Sequence, residues 1–129
     1  MRQQIETFLT IGLGAVLGAN LRYWVSGWAA KQIGQLFPWG TLIINASGSC
    51  LLGVFIAWSQ NHLTADPRLR LMIAVGFFGA YTTFSTYANE SVALGRSGDW
   101  IGMWSNILGT NLLCLCGALL GLTLGKRLG

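Results

Sequence analysis

Four apolar stretches, each long enough to cross a bilayer as a helix, take up most of this chain. A helix rises about 1.5 Å per residue, so about 20 residues cover the roughly 30 Å hydrocarbon core. The stretches run over residues 7–29, 38–58, 69–94 and 100–125, separated by short polar connections at 31–37, 59–68 and 95–99. In water this pattern is untenable. Hydrophobic residues make up 53% of the chain and charged residues 9%, against about 25% charged in soluble domains. A domain this small can hide only about two-thirds of its surface. Lipid removes the conflict, and because lipid offers the backbone no hydrogen bonds, the spans must be helical. The expected fold is an all-α membrane protein with four transmembrane helices in a single domain over residues 1–129. Pro38 suits a first helical turn. Trp24, Trp28, Trp39, Trp58 and Trp100 fall near the helix ends, where interface anchors belong.

The first stretch is too long for a signal-peptide core and carries Asn20 and Arg22, so it reads as a retained helix. The net charge is +4, but the cations are dispersed and mostly flank the apolar stretches. That is membrane-helix placement, and it argues against nucleic acid as a partner. With the N-terminus inside, Arg2, Arg68, Arg70, Lys126 and Arg127 share its side while Lys31 and Arg96 lie opposite. This bias points to cytoplasmic termini. Cys50, Cys114 and Cys116 sit inside apolar stretches and read as small helix residues, not a disulfide framework. His62 reads as a solvated residue of a polar connection.

Small residues recur at four-residue spacing: Gly14 and Gly18, Ser49 and Gly53, and Gly117, Gly121 and Gly125. Such rows let helix backbones approach closely. Polar residues form rows too. Thr41, Asn45 and Ser49 share a face of the second helix, and Asn106, Thr110 and Cys114 a face of the fourth. Two readings stand side by side: interhelical hydrogen bonds, or a line of donors that replaces the hydration shell of a small anion step by step. The third helix is the least regular. Gly79 to Tyr87 reads Gly-Ala-Tyr-Thr-Thr-Phe-Ser-Thr-Tyr, a weak helix former at mid-span, and a break is expected there. Freed carbonyls at that depth suit a small monovalent cation. Phe84 and Tyr87 are three apart. Their ring edges, which carry partial positive charge, can face an anion, although such a pair is also ordinary core packing. Arg22 either lends positive potential to a water-filled entrance or snorkels to the interface. Glu90 is either a structural partner or a group that responds to ions.

These residues resemble the CrcB/Fluc family of fluoride channels over nearly the whole chain. The resemblance rests on Gly18-Ala19-Asn20-Leu21-Arg22-Tyr23, on Gly40-Thr41-Leu42-Ile43-Ile44-Asn45, and on Gly79 through Tyr87, which is similar to the family's GGxTTFSTF stretch. It implies an antiparallel, dual-topology homodimer in the bacterial inner (plasma) membrane. It also implies two fluoride pathways and a central structural Na⁺ held by backbone carbonyls of Gly79 and Thr82. Carried over position by position, the pathway would comprise the pore asparagine Asn45, the aromatic pair Phe84 and Tyr87, and the polar residues Thr41, Ser85, Asn106, Thr110 and Cys114. Arg22 would be the vestibule arginine and Glu90 the third-helix acid. Two positions depart from the pattern: Ala80 replaces a glycine, and Tyr87 replaces the usual phenylalanine.

The implied function is passive, selective export of fluoride from the cytoplasm, with no catalytic role, since no nucleotide-binding loop and no nucleophile–base pair are legible. The alternatives are a small dual-topology multidrug or cation exporter and a non-transporting helical subunit. The exporter needs an intramembrane carboxylate, for which Glu90 is the candidate, whereas Arg22 favours anions. On this reading an aspartate at position 45 is expected to block the path while sparing the fold.

Overall fold

The computed structural model describes residues 1–62 and 67–128. The side chains of Asn61 and His62, and with them the role expected of His62, lie outside the described part. Among the described residues four helical spans are long and apolar enough to cross a membrane, Arg2–Gln32, Trp39–Gln60, Pro67–Arg96 and Trp100–Leu128. The chain is therefore a multi-pass membrane protein. Helices α1 (Arg2–Gln32) and α2 (Trp39–His62) are continuous. The third span is assembled from pieces: α3 (Pro67–Arg70), a π-helical segment (Leu71–Phe78), α4 (Gly79–Tyr81) and α5 (Phe84–Arg96). The last span is α6 (Trp100–Leu128). Each span runs past its apolar stretch, because polar flanking residues at the interface still gain their backbone bonds by staying helical.

The spans pair by their small residues. α2 packs chiefly on α6, and α1 packs on the π-helical segment and α4. A side chain added at Gly14 would meet the Met72 carbonyl, and one at Gly18 the Phe77 carbonyl. Gly76 faces α1 in return, with the Gly14 Cα 3.1 Å from where its own Cβ would stand. Between α2 and α6, Gly121 abuts the Cys50 carbonyl, Gly125 the Val54 carbonyl and Gly53 the Ala118 carbonyl. The rows legible in the sequence are thus lines of backbone-to-backbone approach, the packing that replaces the hydrophobic effect where the solvent is itself apolar.

A small apolar core of Ile44, Phe78 and Tyr81 lies between the pairs. Leucines of α1 and α6 such as Leu13, Leu17, Leu108 and Leu119 are exposed, as a lipid-facing surface requires. At the N-terminal end Arg68 reaches Glu6 at 2.7 Å, and Arg2 lies 3.4 Å from the same carboxylate. The start of α1 and the start of the third span therefore share one side, as four alternating spans demand.

Candidate functional site: an interrupted helix beside an uncharged cavity

The helical path of the third span stops at Tyr81 and resumes at Phe84. Between them Thr82 (φ −81°, ψ 159°) and Thr83 (φ −152°, ψ 113°) are extended. The local chemistry favours this. Both residues are β-branched and have hydroxyls that compete for backbone partners. The Thr82 hydroxyl and its N–H both donate to the Phe78 carbonyl, at 2.9 and 3.0 Å, closing the first half of the span. The Thr83 hydroxyl caps α5 by accepting from the Thr86 N–H at 3.3 Å, and donates to the Thr86 hydroxyl at 2.9 Å.

Asn45 of α2 completes the interruption. The Thr83 N–H donates to Asn45 Oδ1 at 2.8 Å, and Asn45 Nδ2 donates to the Thr83 carbonyl at 3.0 Å. One side-chain amide thus satisfies both backbone groups of one residue, as a neighbouring strand would. Gly48, one turn on, lets α2 come this close, because a Cβ there would meet the Thr82 methyl. Among the carbonyls that lose their helical donors as a result are those of Gly79 and Thr82. The N–H that would reach Gly79 goes to Asn45, and the N–H that would reach Thr82 goes to the Thr83 hydroxyl.

Beside the interruption lies a cavity of about 250 Å³. Asn45, Ser49, Phe84, Tyr87, Thr110 and Cys114 line it, so members of both polar rows and the aromatic pair meet in one place. No lining residue carries a charge. The rings of Phe84 and Tyr87 stand 5.4 Å apart at 56°. Tyr87 is buried, whereas Phe84 is 76% exposed. Asn45 is only 8% exposed, and its second Nδ2 hydrogen has no partner among the described residues. The same holds for the Ser49 hydroxyl. The Thr110 hydroxyl instead donates to Asn106 Oδ1 at 3.1 Å.

Other candidates lie elsewhere. Asn106 is 0% exposed and is not among the residues of this cavity. Its amide donates to the Ser91 hydroxyl at 2.9 Å, and Ser91 donates to the Tyr87 carbonyl at 2.8 Å. Asn106 therefore wires α6 to α5. Thr41 does not continue the row into the cavity either. Its hydroxyl donates to Glu90 Oε1 at 2.9 Å, leaving Glu90 Oε2 buried without a partner. Glu90 lines two further cavities, of about 240 and 300 Å³, near the 33–38 and 97–99 connections. Ser85 is exposed, and neither it nor Arg22 lines the main cavity.

Sequence reasoning missed Ser91, Tyr81 and Asn111. The Tyr81 hydroxyl is bonded to that of Ser47 at 3.0 Å, and its ring stacks on Phe77 at 5.9 Å. Asn111 contributes to the cavity and bonds Tyr87. Asn111 stands five residues after Asn106 and one after Thr110, off the four-residue row that drew attention to α6.

A family model described as CrcB-like protein, Camphor Resistance (CrcB), matches residues 9–122. A protein of Koribacter versatilis named fluoride-specific ion channel FluC is 46% identical over 115 residues, covering 89% of this chain and 91% of the relative. A protein of Chloroflexus aurantiacus with the same name is 38% identical over 125 residues, covering 97% and 99%. Another of Rhodopseudomonas palustris, named fluoride-specific ion channel FluC 2, is 38% identical over 130 residues, covering 99% of each. With the match running from the first span into the last, and relatives similar over 91% or more of their length, the chain belongs to the CrcB family.

Proposed function

We propose that this protein is a fluoride-selective channel of the bacterial inner membrane that lets fluoride leave the cytoplasm passively and so lowers its toxicity. One observation carries the reading. An uncharged cavity into which Asn45 offers its second amide hydrogen and Ser49 its hydroxyl sits beside an interrupted span in a chain whose relatives are named fluoride-specific channels. Fluoride is small and strongly hydrated, so it leaves water only where donors replace the lost shell. Asn45 and Ser49 offer such donors, and the ring edges of Phe84 and Tyr87 add partial positive charge. Thr110 joins by turning its hydroxyl from Asn106 to the anion, and Cys114 follows one turn along. Ser85 and Arg22 serve the path from its flanks, Arg22 by its positive potential. The Thr41–Glu90 pair stands at the far cavities. Fluoride that enters as HF ionises inside and becomes trapped. A negative-inside potential then drives the anion out, with about 2.3 kcal/mol per charge for each 100 mV.

In this reading two chains pair antiparallel, with dual topology, and cover the exposed face of Phe84. The interruption lies at mid-membrane, where a Na⁺ is held by the Gly79 and Thr82 carbonyls. The donor set fits such an ion. Both carbonyls have lost their helical donors, and a Cβ at Gly79 would meet nothing within 4 Å in the single chain. Among the described residues no group of three His, Cys, Asp or Glu side chains is placed to hold a metal. When bound, the ion supplies fixed positive charge that ties the two interruptions together.

The decisive experiment is efflux from liposomes carrying the purified protein, read with a fluoride and then a chloride electrode. Fluoride efflux without chloride efflux is expected, and equal rates for the two anions, or none, overturn the reading. For the sodium site, Thr82→Ala keeps its carbonyl and loses one of two bonds to Phe78, so it should retain most of the dimer and most of the efflux. Gly79→Val puts a branched side chain into space that only a partner or an ion fills, and should lower both by about tenfold. Equal, negligible effects would count against the site. Single cysteines at Lys31 and Arg68 test orientation: an impermeant thiol reagent should label a fraction of each, and labelling of one position alone would exclude dual topology.

A further inference from the structure

We propose that Asn111 is a positioning residue that fixes the ring of Tyr87 in the wall of the cavity; this rests on the channel reading above. Asn111 Nδ2 donates to the Tyr87 hydroxyl at 2.7 Å and to the Ile107 carbonyl at 2.7 Å, which uses both hydrogens of the amide. The Tyr87 hydroxyl in turn lies 3.5 Å from the Ile107 carbonyl. A tyrosine ring turns about two torsions, and its hydroxyl lies on the axis of the second and far from the first. Tying that atom to α6 therefore fixes the first torsion, and with it where the ring stands in the cavity wall. The neighbouring ring offers little restraint, since Phe84 is itself 76% exposed. Without Asn111 the hydroxyl keeps only the long contact to Ile107. A buried hydroxyl short of partners seeks others, and the cavity that Tyr87 lines offers Asn45 and Thr110. A hydroxyl swung toward them would compete with an anion for the same donors. The pair thus explains how this chain accommodates a tyrosine here: Asn111 gives the extra hydroxyl a fixed partner on α6.

The test is a double-substitution cycle read as fluoride efflux per folded protein in liposomes, so that lost yield does not register. Asn111→Leu removes the tether at a position exposed in the single chain and should lower efflux about fivefold. Tyr87→Phe removes the hydroxyl and keeps the ring, and its own efflux, whatever its level, is the reference for the second background. In the Tyr87→Phe background Asn111→Leu should then have no further effect, because no hydroxyl is left to hold. A helix-packing role for Asn111 would not vanish with the tyrosine hydroxyl in this way. Asn111→Ser, too short to reach Tyr87, serves if the leucine variant does not fold, and should behave alike. Unchanged efflux in Asn111→Leu, or the same loss in both backgrounds, overturns the proposal while leaving the channel reading intact. A parent protein that passes no fluoride fails the channel reading itself.

Discussion

Asn45→Asp is expected to cut fluoride efflux at least about a hundredfold, and to weaken the fold as well. Aspartate retains an acceptor for the Thr83 N–H, but it turns the donor that met the Thr83 carbonyl into a second acceptor. Two oxygens then face each other at a site 8% exposed, with a charge added. A buried group left unsatisfied costs about 1–3 kcal/mol, and more when charged. Removing the donor that would greet the anion, and substituting negative charge, closes the path electrostatically. Efflux read with a fluoride electrode and thermal unfolding in detergent should both fall. The expectation from sequence was that the fold would be spared. The two bonds to Thr83 correct it, because the amide is a clamp on the interrupted backbone as much as a wall of the cavity. Normal efflux from Asn45→Asp would sink the proposed route.

Gly18→Val should abolish folded protein. A Cβ at Gly18 falls on the Phe77 carbonyl and stands 3.0 Å from the Tyr81 N. Both are backbone atoms, so no side chain can swing aside, and relief requires moving the third span off α1. Overpacking of this kind costs about 3 kcal/mol or more. A displaced third span would also break the Asn45 clamp and the Tyr81–Ser47 bond. Gly12→Val is the control, since a Cβ there meets nothing within 4 Å. Size-exclusion profiles in detergent should separate the two, and equally good folding of both would mean that α1 and the third span do not meet along this row.

The architecture was legible because a bilayer leaves so few options. Length and apolar content specify spanning helices, and rows such as Gly117, Gly121 and Gly125 announce where backbones touch. The weak helix-forming run from Gly79 onward marked the irregular part of the third span. The site was legible only in part. A four-residue row says which residues share a face, not which neighbour that face meets. Thr41, Asn45 and Ser49 lie on one face of α2, yet Thr41 meets Glu90 while Asn45 meets Thr83. Asn106 and Thr110 share a face, yet one is sealed between helices and the other lines the cavity. Helix crossings decide this, and crossings depend on pairs distant in sequence. Asn111 escaped for the same reason, since its role depends on where Tyr87, 24 residues earlier, projects. The π-helical course of Leu71–Phe78 had no sequence signal that we can name.

The interruption at Thr82 and Thr83 divides the third span between two neighbours, its first half packed on α1 and its second half on α6. This has a consequence for how the chain is made. Synthesis delivers α1, α2 and the whole third span before any of α6 exists. The first half finds α1 waiting, with Gly14 and Gly18 open to receive it. The second half holds Tyr87, Glu90 and Ser91 when two of their α6 partners, Asn106 and Asn111, have yet to be translated. Thr41 of α2 is already present for Glu90, but the Tyr87 hydroxyl has neither Asn111 nor the Ile107 carbonyl to meet. A polar half-helix in that condition belongs at the aqueous edge of the membrane or inside the translocation machinery, not in lipid. α6, which emerges after the third span, is therefore the helix that completes its burial.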